Sequence, residues 1–107
     1  MTTLSNAIEG LVSRGFTAHF GVVGDRLRAF DSGKTFDAHE LVIREFQRFE
    51  GVSDPDDMAI VYAIESTDGT RGSLVDAFGA YANPAVSALL RDVPMRRAME
   101  TGPAGPA

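Results

Sequence analysis

The chain has 107 residues, of which 44% are hydrophobic and 23% are charged, and it contains no cysteine. Ten Lys and Arg residues against fifteen Asp and Glu residues give a formal net charge of −5. The length predicts a single domain over residues 1–100, and the ordinary apolar fraction predicts a folded core. The composition excludes disulfides and thiolate chemistry, and the acidic balance argues against nucleic acid as a partner.

The apolar runs and the first residues of the chain bear on its location. No apolar run approaches the ~20 residues of a membrane span, and the N-terminus lacks the basic start and apolar stretch of a signal peptide. An absence of cysteine fits a reducing compartment. We therefore expect a cytoplasmic protein that does not contact a membrane.

The first predicted element is an amphipathic helix. Thr3 is a suitable N-cap, apolar residues recur at spacings of three and four over residues 4–12, and Gly15 supplies a left-handed stop. Residues 16–30 then alternate in a pattern typical of two short strands around Gly24 and Asp25. The pattern predicts a helix that packs on a sheet beginning with this hairpin.

Residues 37–50 allow two interpretations. Asp37 with Glu40 three residues later matches a capping box, and the apolar residues that follow keep helical spacing. Periodicity alone favours this helix, whereas the β-prone residues Val42, Ile43, Phe46 and Phe49, which alternate with charges, leave a strand open.

The second half of the chain predicts a hairpin and then a helix. Residues 58–66 and 72–78 are β-prone and flank Asp68-Gly69, a two-residue turn signal that would pair Thr67 with Thr70. Asn83 and Pro84 open a helix through about residue 90, and a continuation over residues 95–100 would follow a break at Pro94. Residues 101–107 predict a disordered tail.

These elements predict an α+β fold. Tight links between strands favour an antiparallel meander of four or five strands over parallel βαβ units. The N-terminal and C-terminal helices are expected to pack on one face of this sheet.

The loop over residues 51–57 holds the densest group of carboxylates. Carboxylate oxygens suit Mg²⁺ or Ca²⁺, but the spacing from Asp54 does not match a calcium loop, because Ala59 stands where glycine is required. Asp and Pro in this pattern are also typical of a solvated turn. We predict no metal and no cofactor.

Nine of the ten basic residues are arginine, whose planar guanidinium group suits anions. Arg44 and Arg48 share one strand parity, as do Arg26 and Arg28. If these strands are neighbours, the arginines would meet on one exposed face beside Asp76 and Glu65. Such a face either holds a phosphate or carboxylate ligand or is a charge-balanced surface.

One stretch of the chain resembles a known family. Residues 48–58 (RFEGVSDPDDM), residues 61–64 (VYAI), the Asp68-Gly69 pair and residues 74–81 (LVDAFGAY) resemble a small family of uncharacterised bacterial proteins. The resemblance implies a compact α+β domain with an antiparallel sheet and implies no catalytic residue. It also favours a short turn at residues 37–40 followed by a strand over about residues 42–50.

Some members of that family are labelled as related to phosphoribosylpyrophosphate synthetase. That label implies an enzyme built from two linked α/β domains, with phosphate-binding loops at the ends of parallel strands. One domain of this length cannot hold them, so we do not expect this activity.

The leading hypothesis is a non-catalytic binding or regulatory domain that acts through protein contact, as a homodimer or with another protein. The alternative is a small protein or enzyme that binds a phosphorylated metabolite or a metal through an Arg/Asp cluster. The candidate ligand-binding residues are Arg48, Glu50, Ser53, Asp54, Asp56, Asp57, Asp76 and Tyr81.

Overall fold

The computed structural model describes residues 4–49, 59–77 and 83–96. Within them the chain forms two α-helices, six β-strands and a 3-10 turn at Ala38–Glu40. The helices are α1 (Leu4–Ser13) and α2 (Pro84–Leu90). The strands are β1 (Ala18–Val23), β2 (Arg26–Ala29), β3 (Thr35–Phe36), β4 (Leu41–Phe49), β5 (Ala59–Ser66) and β6 (Arg71–Ala77). The α+β class is confirmed, and residues 41–49 are strand rather than helix. Neither described helix is long and apolar enough to cross a membrane.

The six described strands form one mixed sheet in the order β3-β2-β1-β6-β5-β4. Neighbours are antiparallel except β1 and β6, which run parallel, with Ala18 opposite Gly72 and His19 opposite Ser73. The prediction of an antiparallel meander of four or five strands is corrected here. Two short meanders lie side by side, and parallel pairing is possible because strands β2 to β5 supply the long crossover that it needs.

The sheet is strongly curled. Residues 37–40 connect the two edge strands, and the five Cα steps from Phe36 to Leu41 reach at most about 18 Å. Six flat strands would place the edges about 24 Å apart. Phe36 and Leu41 accordingly belong to one buried cluster. The sheet therefore wraps around an inner core.

The concave face of the sheet encloses the larger core. Leu27 and Ile64 are fully buried in it, and the rings of Phe20 and Phe36 meet edge to face with centroids 6.3 Å apart. Helix α2 packs its buried side chains against this cluster. Helix α2, which the sequence predicts, is thus fixed to the inner side of the sheet.

Helix α1 lies on the opposite, convex face. Leu11 of α1 and the following Phe16 form a second buried cluster with Val61 and Ala63 of β5. Successive side chains of a strand point to opposite faces, and Ile64 of the same strand belongs to the inner core. The expectation that both helices pack on one face is wrong, because β5 is apolar on both sides and has one helix on each.

Two hairpins set the register of the sheet. The β1–β2 hairpin turns at the predicted Gly24 and Asp25, which form a two-residue loop with Gly24 at φ +67°. In the β5–β6 hairpin Glu65 lies opposite Arg71, so the loop has three residues, 67–69, rather than two. Gly69 has φ +91°, as the last position of such a loop requires. The predicted register is therefore wrong by one residue.

The segment after α2 completes the edge of β4. The N–H of Ile43 donates to the carbonyl of Pro94 at 2.9 Å, and the N–H of Arg96 donates to the carbonyl of Ile43 at 2.8 Å. Met95 forms the corresponding parallel bridge, so the predicted helical continuation is wrong here. Residues 97–100 and the predicted tail at 101–107 lie outside the described residues.

Candidate functional site

Three arginines from different parts of the chain line one cavity of about 330 Å³ on the convex side of the sheet. Arg14 follows α1, just before Gly15 turns the chain with φ +99°. Arg44 lies within β4, and Arg71 is the first residue of β6. Phe16, Glu45 and Glu65 complete the lining. With three guanidinium groups and two carboxylates, the cavity has a formal charge of +1 in an acidic chain.

A β-bulge places Arg44 in this cavity. Ile43 lies opposite Ile64, whereas Glu45 lies opposite Ala63, so Arg44 is the extra residue of β4. Glu45 consequently shares the convex face with Ala63, and Arg44 reaches Glu65 on that face. A bulge commonly redirects a side chain next to a functional site.

Glu65 holds two of the three arginines. Its Oε1 accepts from Nε of Arg44 at 2.9 Å, and its Oε2 lies 3.5 Å from Nε of Arg71. The Glu65 side chain is only 19% exposed. Arg44 also donates to the carbonyl of Arg96 at 3.1 Å. These contacts hold the two guanidinium groups in place before any ligand arrives, which lowers the cost of ordering them.

The third arginine is held less firmly. Arg14 lies 2.6 Å from Glu45, and the two side chains are 56% and 43% exposed. Pairs this exposed contribute little to stability and exchange readily with solvent and anions. Arg71 is further fixed by Phe16, whose ring centroid lies 5.7 Å from the guanidinium carbon. The cavity thus combines two oriented arginines with a third that can change its partner.

The chemistry available in this cavity is recognition of an anion. Guanidinium groups donate paired hydrogen bonds to phosphate or carboxylate oxygens. Among the described residues of the lining, none has a hydroxyl or imidazole group that could serve as nucleophile or base. Within residues 4–49, 59–77 and 83–96, no three His, Asp or Glu side chains are grouped so that they could hold a metal ion.

Of the predicted site residues, Arg48 and Asp76 fall among the described ones and lie in one row of the sheet. Arg48 pairs with Ile60 across β4 and β5, and Ile60 pairs with Asp76 across β5 and β6. Two strand spacings, about 10 Å, separate their backbones. The Asp76 carboxylate accepts from the N–H of Asn83 at 3.2 Å, immediately before α2. Asp76 therefore has a structural role at the start of that helix.

Tyr62 lies two residues from Ile60 along β5, on the same face of the sheet, and both of these charges shift the pKa of its hydroxyl. Burial raises the pKa of the Tyr62 hydroxyl, the Asp76 carboxylate raises it further, and the Arg48 guanidinium lowers it. The Arg48 guanidinium carbon is 5.8 Å from the ring centroid of Phe46. These groups form a partly polar patch on the concave face, on the other side of the sheet from the arginine cavity.

The remaining predicted site residues lie outside the described residues: Glu50, Ser53, Asp54, Asp56, Asp57 and Tyr81. Their proposed convergence with Arg48 and Asp76 stays a prediction.

The predicted arginine face does not form. The bulge puts Arg44 and Arg48 on opposite faces of the sheet. Arg26 and Arg28 lie on β2, which three strands separate from β4, and Arg26 pairs with Asp37 at 3.3 Å. The prediction from strand parity is wrong because it assumes that side chains alternate regularly along β4, and the bulge interrupts that alternation.

Sequence reasoning missed Arg14 and Arg71 as members of a site. One signal for Arg71 was available, because a three-residue loop would have placed it opposite Glu65 as a cross-strand ion pair. No local signal marks Arg14, since the charged residues that line the cavity with it are all distant in sequence.

Comparisons with protein-family models, with curated proteins and with solved structures found no match, so the resemblance described above stays a prediction.

Proposed function

We propose that this protein is a non-catalytic binding domain whose ligand is a small anion with a phosphate or carboxylate group, held by Arg14, Arg44 and Arg71. The observation that carries the proposal is the convergence of three arginines on one cavity of about 330 Å³ that contains two carboxylates. A cavity of this size lies at the lower end of the range for small-molecule sites. A cytoplasmic location is part of the proposal, since a chain without cysteine suits a reducing compartment.

The lining also indicates how the anion would enter. Glu65 is mostly buried and bridges two arginines, so it stays in place as the floor of the site. The Glu45 carboxylate is exposed and occupies the Arg14 guanidinium. An incoming anion replaces Glu45 at Arg14 and adds contacts to Arg71. Exchange of the Glu45 carboxylate for the anionic group of the ligand costs little, because the Arg14–Glu45 pair is exposed and contributes little to stability.

The test is titration with inorganic phosphate, followed by calorimetry and by NMR of the arginine Nε–H groups. Arg71→Gln should weaken binding about tenfold or more, because a hydrogen bond to a charged group contributes about 1.5–3 kcal/mol. Arg28→Gln is the matched control, since it removes the same charge from an exposed position on β2, outside the cavity. An equal loss in both variants, or no saturable change at the three arginines, would contradict the proposal.

A second candidate function, self-association, is favoured by the outer face of β1 and β2. Val23 and Phe30 are 50% and 59% exposed there, and the Phe30 ring lies over Gly21, where a Cβ atom would come within 2.5 Å of it. Exposed aromatic residues are common at protein interfaces. If this face joins two copies, light scattering should give a dimer mass that Phe30→Ser converts to a monomer. Val12→Ser, at an exposed apolar position of α1, should leave the dimer intact. A monomeric wild-type chain refutes this candidate.

A further inference from the structure

A second cavity adjoins the arginine cavity and shares one wall with it. This neighbouring cavity has a volume of about 310 Å³, and Arg44 and Glu65 line both cavities. Its other polar lining includes His39, Glu40 and Thr67. The shared wall means that a ligand held by Arg44 can extend from one cavity into the other. We call the two the arginine cavity and the Glu40 cavity.

The two cavities carry opposite formal charges. The arginine cavity has three guanidinium groups and two carboxylates, a charge of +1. The Glu40 cavity has one guanidinium group and the carboxylates of Glu40 and Glu65, a charge of −1 with His39 neutral. Charge complementarity therefore favours a ligand with an anionic group at one end and a cationic group at the other.

The Glu40 carboxylate is positioned before any ligand binds. The N–H of Asp37 donates to Glu40 Oε1 at 2.8 Å, and the N–H of Thr67 donates to the Glu40 backbone carbonyl at 2.9 Å. These bonds tie the 3-10 turn to the β5–β6 loop and fix the wall of the cavity. A preorganised carboxylate of this kind binds an ammonium group with little ordering cost.

We infer that the ligand is a zwitterion, with its phosphate or carboxylate group on the arginines and its ammonium group against Glu40. This inference rests on the proposed function, because it assumes that the arginine cavity binds the anionic group. It adds a class of compound: small phosphorylated or carboxylated amines, rather than anions in general.

The experiment compares two probes that differ in one group, phosphoethanolamine and ethyl phosphate, by calorimetry on the full chain. At about pH 8 both phosphates are doubly ionised and the amine is protonated. The wild-type protein should bind phosphoethanolamine about fivefold more tightly than ethyl phosphate, the effect of one partly exposed ion pair.

Glu40→Gln is the decisive variant. Glutamine keeps the oxygen that accepts from Asp37, as in capping boxes, and removes only the charge. In this variant the ratio of the affinities for phosphoethanolamine and ethyl phosphate should fall to about one, while ethyl phosphate binds as before. Glu9→Gln, on α1 outside both cavities, is the matched control and should keep the preference.

The outcomes distinguish the zwitterion inference from the proposed function. Equal binding of the two probes by the wild-type protein, or a preference that survives Glu40→Gln, overturns the zwitterion inference and leaves anion binding intact. Failure of both probes to bind overturns the proposed function itself.

Discussion

The junction between β1 and β6 gives the sharpest prediction about stability. These strands are the only parallel pair among the described strands, and they join the two meanders of the sheet. Gly72 lies opposite Ala18 at this junction. A Cβ atom at residue 72 would clash with the Ala18 carbonyl oxygen and would lie 2.6 Å from its carbonyl carbon and 2.8 Å from its Cβ. Backbone atoms form most of this obstacle, so no side-chain rotation relieves it.

Gly72→Ala must therefore push the two strands apart or distort one of them. Overpacking of this kind costs about 1–3 kcal/mol, and we expect the upper half of that range because the obstacle is backbone. For 107 residues the entropy of unfolding is about 0.2 kcal/mol per kelvin, so a loss of about 2.5 kcal/mol lowers Tm by about 11 °C. Calorimetry or thermal melting followed by circular dichroism measures this change.

The matched control is the same substitution at Gly10. This glycine lies inside α1, and a Cβ atom there would meet nothing within 4 Å. Alanine is favoured over glycine inside a helix by about 1 kcal/mol, so Gly10→Ala should raise Tm by a few degrees. A Tm for Gly72→Ala within about 2 °C of wild type would refute the close parallel packing of β1 and β6.

Three further predictions concern the core and its charged groups. Leu27 is fully buried, so Leu27→Ala should lower the free energy of unfolding in urea by about 2–5 kcal/mol, and a loss below 1 kcal/mol would contradict its burial. The Ser66 hydroxyl and the Thr70 N–H hold the pKa of Asp68 well below its usual range. The ionised carboxylate therefore stabilises the fold above pH ~4, and this stabilisation is lost as the pH falls below that value. Tm of the wild type should therefore exceed that of Asp68→Asn at pH 7, and the difference should shrink on acidification; a constant difference refutes this. Because the Asp76 carboxylate raises the pKa of Tyr62, Asp76→Asn should lower that pKa in an ultraviolet titration on a Tyr81→Phe background, and an unchanged value would show that the two groups do not interact.

Local signals in the sequence predicted the elements that depend on local physics. The spacing of apolar residues located α1, Asn83 and Pro84 located the start of α2, and the turn at Gly24 located the first hairpin. Each of these features is decided by nearby residues, through caps, turn geometry or side-chain periodicity. The fold class could therefore be predicted before the structure was known.

Long-range features could not be predicted in the same way. The parallel pairing of Ala18 with Gly72 joins residues more than fifty positions apart, and no turn signal encodes it. Strand β5 carries apolar residues on both faces, and its sequence does not indicate which helix packs on which face. The candidate arginine site was missed for a related reason, because the bulge at Arg44 inverts the parity on which the predicted arginine face depended.

The irregular features of the sheet meet at the arginine cavity. Gly72, where two backbones approach closely, directly follows Arg71, and the bulged residue is Arg44 itself. Between them Glu65 is largely withdrawn from water with two arginines beside it. Apolar replacements of such charge clusters are often as stable as the original, so folding alone does not require this one. Departures from local rules that bring no stability tend to occur at functional sites. Their concentration around one cavity supports the proposal that the cavity binds a ligand.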